Sequence, residues 1–200
     1  MKNRNKLLGL ICSLSLFGCQ TRNSAISNQP EDPVKGESKI LVSYFSWSGN
    51  TKQLASWISE KTGGELFRIV PEVAYQENEV FDRAQKEHND GIRPPLSSHI
   101  ETEVMAGYDT VFLGFPIWWY DLPMPVWTFL EEYDFSGKTV IPFFSHNGSS
   151  SGAGSLSTVK RLLPNSTVSD QALSIAGSRV SQSESQVDDW LNGIGYAKDK

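Results

Sequence analysis

The sequence predicts an α/β protein in three layers, a doubly wound, five-stranded parallel sheet with helices on both faces. Two patterns carry that prediction. Continuous apolar runs lie near residues 40–45, 65–70, 109–115, 139–144 and 168–175, and such runs mark strands covered on both faces. Between them, apolar residues recur every three or four positions, as they do along one face of a helix. Strands alternating with helices are joined by right-handed crossovers and therefore run parallel.

The elements follow in order. Ile40 to Phe45 is the first strand, and Leu54 and Ile58 mark the helix after it. The second strand covers 65–70. The stretch from Pro71 to Gly107 is long for one crossover and is expected to hold two helices, about 78–89 and 97–106, parted by Arg93-Pro94-Pro95. Val80, Ala84 and His88 give the first of these its apolar face. Asp109 to Phe115 is the third strand, followed by Val126, Phe129, Leu130 and Tyr133 at helical spacing. The fourth run contains Pro142, which removes a ladder hydrogen bond, so this strand is either locally irregular or pairs late. Leu156, Val159 and Leu163 mark the next helix, 168–175 the fifth strand, and Val187, Trp190, Leu191 and Ile194 the last helix.

The first 19 residues read as a separate unit. Lys2, Arg4 and Lys6 give a basic start, Leu7 to Phe17 an apolar stretch, and Leu16-Phe17-Gly18-Cys19 the close. This is the layout of a signal peptide, too short to span a membrane as a helix. Its end resembles the bacterial lipobox, which implies cleavage before Cys19, lipid attachment to it, and an exported protein anchored to a bacterial membrane. The alternative is a hydrophobic N-terminus with an incidental cysteine. Cys12 lies in the segment to be removed, so the mature chain has no internal disulfide and relies on its core. Residues 20–38, rich in Asn, Ser, Gln, Glu and Pro, read as a flexible tether. Residues 39–195 suit a single domain, with 196–200 as a tail. Removing the three basic residues of the leader from 18 Lys and Arg leaves 15 against 23 Asp and Glu, a formal charge of −8. A polyanionic nucleic acid would be repelled and is excluded as a partner.

Ligands of an open parallel sheet bind beyond the carboxyl ends of the strands. After strand one comes Ser46-Trp47-Ser48-Gly49-Asn50-Thr51, running into a helix. Its hydroxyls, amide and flexible glycine let backbone N–H groups converge on a small anion, helped by the helix dipole. With only Lys52 nearby, a phosphate monoester would be held almost without cationic side chains; the alternative is an ordinary turn and helix cap. After strand three comes Pro116-Ile117-Trp118-Trp119-Tyr120-Asp121-Leu122-Pro123. Three consecutive aromatics suit a stacked planar ring, with one of the two tryptophans, but not both, expected to pack under the following helix instead. After strand four, Ser145-His146-Asn147-Gly148 leads through Ser149 to Ser151 into Gly152-Ala153-Gly154. Small residues there allow backbone groups to meet the edge of a heteroaromatic ring, the alternative being a flexible connector.

Ser46, Ser48, Gly49 and Thr51 match the pattern Ser/Thr-x-Ser/Thr-Gly-x-Thr, and with Phe115 to Trp119 and His146-Asn147-Gly148 the chain resembles the flavodoxin family, most closely a bacterial subgroup of flavodoxin-like proteins. The resemblance spans nearly all of 39–195. It implies strand order 2-1-3-4-5 in the short-chain form and FMN as cofactor, its phosphate on Ser46 to Thr51. The isoalloxazine would be flanked by Pro116, Ile117, Trp118, Trp119 and Tyr120, with His146, Asn147, Gly148 and Gly152 at its pyrimidine side or opposite face. Electron-carrier flavodoxins place an aromatic in that last loop, where this chain has His146. His146 is either a proton donor to flavin or substrate or only a hydrogen-bonding loop residue; no metal is expected. The implied function is electron transfer with redox proteins or a small-molecule acceptor. The alternatives are an FMN-dependent NAD(P)H/quinone-type oxidoreductase and a cofactor-free surface binding module. The chain would act as monomer or homodimer.

Overall fold

The computed structural model describes residues 39–148 and 150–197. The expected signal peptide, Cys19 and the tether of 20–38 lie outside the described residues. The elements are β1 (Ile40–Tyr44), α1 (Asn50–Thr62), β2 (Glu65–Arg68), α2 (Val80–Asp90), α3 (Thr102–Ala106), β3 (Thr110–Pro116), α4 (Met124–Glu132), β4 (Thr139–His146), α5 (Ala153–Leu162), β5 (Thr167–Val168), β6 (Leu173–Ala176), a short 3-10 helix (Gly177–Gln182) and α6 (Glu184–Gly193). All strand pairs are parallel, in the order β2-β1-β3-β4-β5, with β6 also on β4.

Side chains alternate across the pleat, so each inner strand feeds two cores. Leu41, Val111, Leu113, Phe115, Val140 and Phe144 face α2 to α5, where Ala84, Val126, Phe129 and Val159 meet them. Val42, Tyr44, Phe112, Ile141 and Phe143 face α1 and α6, against Leu54, Ile58, Val187 and Leu191. Covered on both faces, β1, β3 and β4 are nearly continuously apolar, which is the pattern that revealed them, whereas β2, at the sheet edge, and β5 are largely exposed despite the same expectation.

Pro142 is accommodated by its neighbour. β4 itself pairs with β3 without a break from Thr139 to Ser145. Backbone groups in a strand point alternately left and right. Thr139 N–H and Ser145 C=O bond toward β3, whereas Lys138 and Val140 C=O accept from Thr167 and Ser169. Pro142 therefore faces the fifth strand position, and that is where the strand is split: β5 ends at Val168 and β6 begins at Leu173. The missing N–H falls at the gap, where no ladder bond is due.

The second helix of the 71–107 stretch is shorter than expected, Thr102–Ala106 rather than 97–106. The backbone before it is already committed. Ser97 N–H donates to Val70 C=O at 2.8 Å, Ser98 Oγ accepts from Val70 N–H at 2.8 Å, and Pro71 bridges Leu96. These bonds pin 96–98 in extended form beyond β2.

Candidate functional site

Gly49 opens α1 with φ of 94°, a left-handed conformation that glycine adopts at little cost. No side chain caps this helix among the described residues, so the motif does not form the ordinary cap. The two buried hydroxyls of the loop behave differently. Thr51 shares a 3.0 Å hydrogen bond with Ser145, which ties α1 to the end of β4. Ser46, 6% exposed, has no partner for its Oγ among the described residues. An unmade bond at a buried hydroxyl costs about 1–3 kcal/mol, and Ser155 Oγ on α5 is left in the same condition among the described residues.

The loop after β3 closes a tight hairpin turn. Trp118 N–H donates to Asp121 C=O at 3.0 Å and Asp121 N–H returns the bond at 2.9 Å. The central residues, Trp119 at φ 47° and Tyr120 at φ 63°, are the only non-glycine residues with positive φ among those described. This is the geometry of a type I′ turn, which favours Asn-Gly. Each such residue stores about 1–3 kcal/mol of strain and persists only where its surroundings enforce it. Here they do. Asp121 accepts from Leu122 N–H at 2.8 Å and from Thr158 Oγ1 on α5 at 3.1 Å, with His88 Nε2 of α2 3.7 Å away. A Cβ on Gly154 would lie 2.6 Å from the Tyr120 carbonyl oxygen, so α5 presses directly on the turn. Trp118 packs edge-on to Phe45 and Tyr75, at 5.4 and 5.2 Å between centroids, and Trp119 reaches Phe81 of α2 at 6.3 Å, both against the core that includes Val126 and Phe129 of α4.

Beyond β4, His146 Nδ1 accepts the Gly148 N–H at 2.8 Å. That bond leaves the neutral imidazole with its proton on Nε2. Gly152 sits at φ 78° before α5, against the Phe144 ring, where a Cβ would come within 2.1 Å. Gly177, after β6, leaves room for the Asn50 side chain, whose Nδ2 a Cβ would meet at 2.6 Å.

These loops enclose a cleft of about 410 Å³ at the carboxyl ends of the sheet, within the range of small-ligand sites. Trp47, Ser48, Asn50, Pro116, Ile117, Trp118, Trp119, Tyr120, His146 and Asn147 line it, while Ser46, Gly49, Thr51, Gly148 and Gly152 do not. Ser145 and Ser150, from the loop already read after strand four, line it as well, together with Val80, Phe81 and Gly177, which the sequence reading did not include in the site. Phe81 had a signal: it stands outside the apolar stripe of Val80 and Ala84. Gly177 had one too, since it follows the fifth strand at the same carboxyl end. No charged side chain lines the cleft among the described residues.

Behind the aromatic wall, the Tyr75 phenol donates to Glu87, and Arg83 Nε donates to the other carboxylate oxygen at 2.8 Å. Burial, reinforced by Glu87, pushes the Tyr75 phenol well above its ordinary range.

The family profile described as flavodoxin matches residues 39–194. The chain belongs to the flavodoxin family. Two solved relatives are candidate flavoproteins from Bacteroides eggerthii and Bacteroides uniformis. The first is 34% identical with a TM-score of 0.68, covering 79% of this chain and 98% of its own. The second is 32% identical with a TM-score of 0.68, covering 78% and 98%. A flavoprotein from Lactobacillus acidophilus, solved in complex with FMN, shares the fold at 24% identity and a TM-score of 0.56, covering 72% and 97%. No curated protein matches the chain. In this family member the sheet order agrees with the expected 2-1-3-4-5.

Proposed function

We propose that this chain holds FMN non-covalently in the cleft and uses it to carry electrons. The observation that carries the reading is the uncapped start of α1 at Gly49, flanked by Ser48 and Asn50 of the cleft lining, with the unpartnered, buried Ser46 hydroxyl in the same loop. A phosphate monoester supplies the missing acceptors, and the helix dipole favours its charge. The absence of lysine and arginine from the described lining suits one phosphate group better than the several of a dinucleotide. Trp118, Trp119 and Tyr120 offer the isoalloxazine an apolar wall, and His146 Nε2–H and Asn147 offer its polar edge hydrogen bonds. FMN brings one- and two-electron chemistry; the protein binds, orients and shields it. Family membership and the FMN complex of the Lactobacillus flavoprotein support the assignment.

A titration of the purified chain with FMN, followed by quenching of flavin fluorescence, tests this. Tight one-to-one binding that weakens in Ser46→Ala is expected; no binding at micromolar FMN would refute it. The rim supports a second reading. Trp47, Phe81 and Tyr120 are 41%, 69% and 67% exposed around the cleft mouth, an apolar border suited to a quinone-type substrate or a second subunit. NAD(P)H-dependent quinone reduction, with a dimer in sedimentation, would select the oxidoreductase over the carrier. We further propose that Cys19 carries lipid and holds the protein at a bacterial membrane, where redox proteins or small acceptors meet it. Radiolabelled palmitate should enter the wild-type chain and not Cys19→Ser.

A further inference from the structure

Two tryptophans of the cleft, Trp118 and Trp47, meet one buried tyrosine, and a third, Trp119, adjoins Trp118. Tyr75 is 7% exposed. Its ring lies 5.2 Å from that of Trp118, which lies 6.3 Å from that of Trp119. The Trp47 indole N–H donates to the Tyr75 carbonyl at 3.1 Å. On its other side the phenol donates to Glu87, itself 6% exposed, and the Arg83 guanidinium lies 4.1 Å over the phenol ring. Binding a phosphate or a planar ring requires none of this.

We propose that Tyr75 and Glu87 form a redox-active pair that draws one-electron oxidising equivalents out of the cleft tryptophans. A buried phenol that lost only an electron would become a cation in an apolar site, at high cost. Glu87 removes that obstacle by taking the proton in the same event. The positive charge left over then resides on Arg83, whose side chain is 22% exposed, instead of on the buried ring. The step balances. A one-electron oxidising radical takes an electron from an indole, which releases its N–H proton to water. The indolyl radical then gains one electron from Tyr75 and one proton from water and is restored. Tyr75 becomes a phenoxyl radical, having passed its proton to Glu87. The cleft tryptophans are thereby spared irreversible oxidation.

Pulse radiolysis of the full chain in azide solution, without FMN, tests the pair independently of the cofactor. The azide radical oxidises accessible indoles, and indolyl and phenoxyl absorbances are followed together. Indolyl decay into phenoxyl should be first order, independent of protein concentration and slower in deuterium oxide. Tyr75→Phe, which keeps the ring and its packing, should lose this phase, whereas Tyr120→Phe, altering the exposed tyrosine next to Trp119, should keep it. Persistence of the phase in Tyr75→Phe, its loss in Tyr120→Phe, or a rate that scales with protein concentration would overturn the proposal. If Tyr75→Phe fails to fold, Glu87→Gln decides: a slowed phase supports the pair and an unchanged one refutes it.

Discussion

Trp119 and Tyr120 adopt left-handed backbone without the freedom of glycine, and that choice separates stability from binding. Tyr120 is 67% exposed, so little packing is lost when its side chain is removed. Tyr120→Gly relieves strain of about 1–2 kcal/mol, partly offset by the entropy glycine adds to the unfolded chain. We expect urea unfolding of the apoprotein to show stability unchanged or raised by up to about 1 kcal/mol, while FMN affinity falls. A loss of apoprotein stability beyond about 1 kcal/mol would refute the account of stored strain. At this scale the sequence was partly legible. Residue types pointed to the three loops that border the cleft. What each hydroxyl does was hidden, because Ser46 and Thr51 occupy one motif. Their difference is set by Ser145, a partner 94 positions along the chain from Thr51.

Among the elements, Pro142 shows where local reading stops. A proline in an inner strand is a warning, and its resolution lies in the adjacent strand, which is divided opposite it. The new N–H of Pro142→Ala points into that division. It should therefore cost no more than about 1 kcal/mol, through the unfolded state. Ile141→Pro, one residue earlier and facing β3, should cost about 3 kcal/mol or more. Chemical denaturation of the two variants checks this, and equal losses would refute the assigned direction of the Pro142 backbone. The shortened α3 teaches the same lesson. Residues 97–101 carry a plausible helical pattern, but Ser97 and Ser98 are taken up by hydrogen bonds to Val70, a tertiary demand that periodicity does not register. Long, strongly patterned elements such as α1 and α6 met no such competition.

For the molecule as a whole, burial governs the response to alkali. Burial, then the hydrogen bond to Glu65, pushes Tyr108 up to about 12 from 10.0. Burial also raises Tyr44 and Tyr75. In each case the folded state keeps its proton after the unfolded chain has lost it. The stability this contributes is complete below the unfolded value of 10.0 and declines as pH rises, through about 12 for Tyr108. Urea midpoints measured across this range should fall, and Tyr108→Phe should flatten part of the fall; a wild-type midpoint that stays constant would contradict it. Fold and sheet order were legible because buried strands and amphipathic helices write their periods into the chain. Which tyrosines are shielded was not, since that depends on what packs over them.

The parallel sheet also gives the molecule a direction. Described chain enters at Lys39, beside the amino ends of the strands, and β1 carries it about 17 Å toward the carboxyl ends, where the cleft lies. The entry point of the described chain and the aromatic mouth of the cleft therefore lie at opposite ends of the sheet.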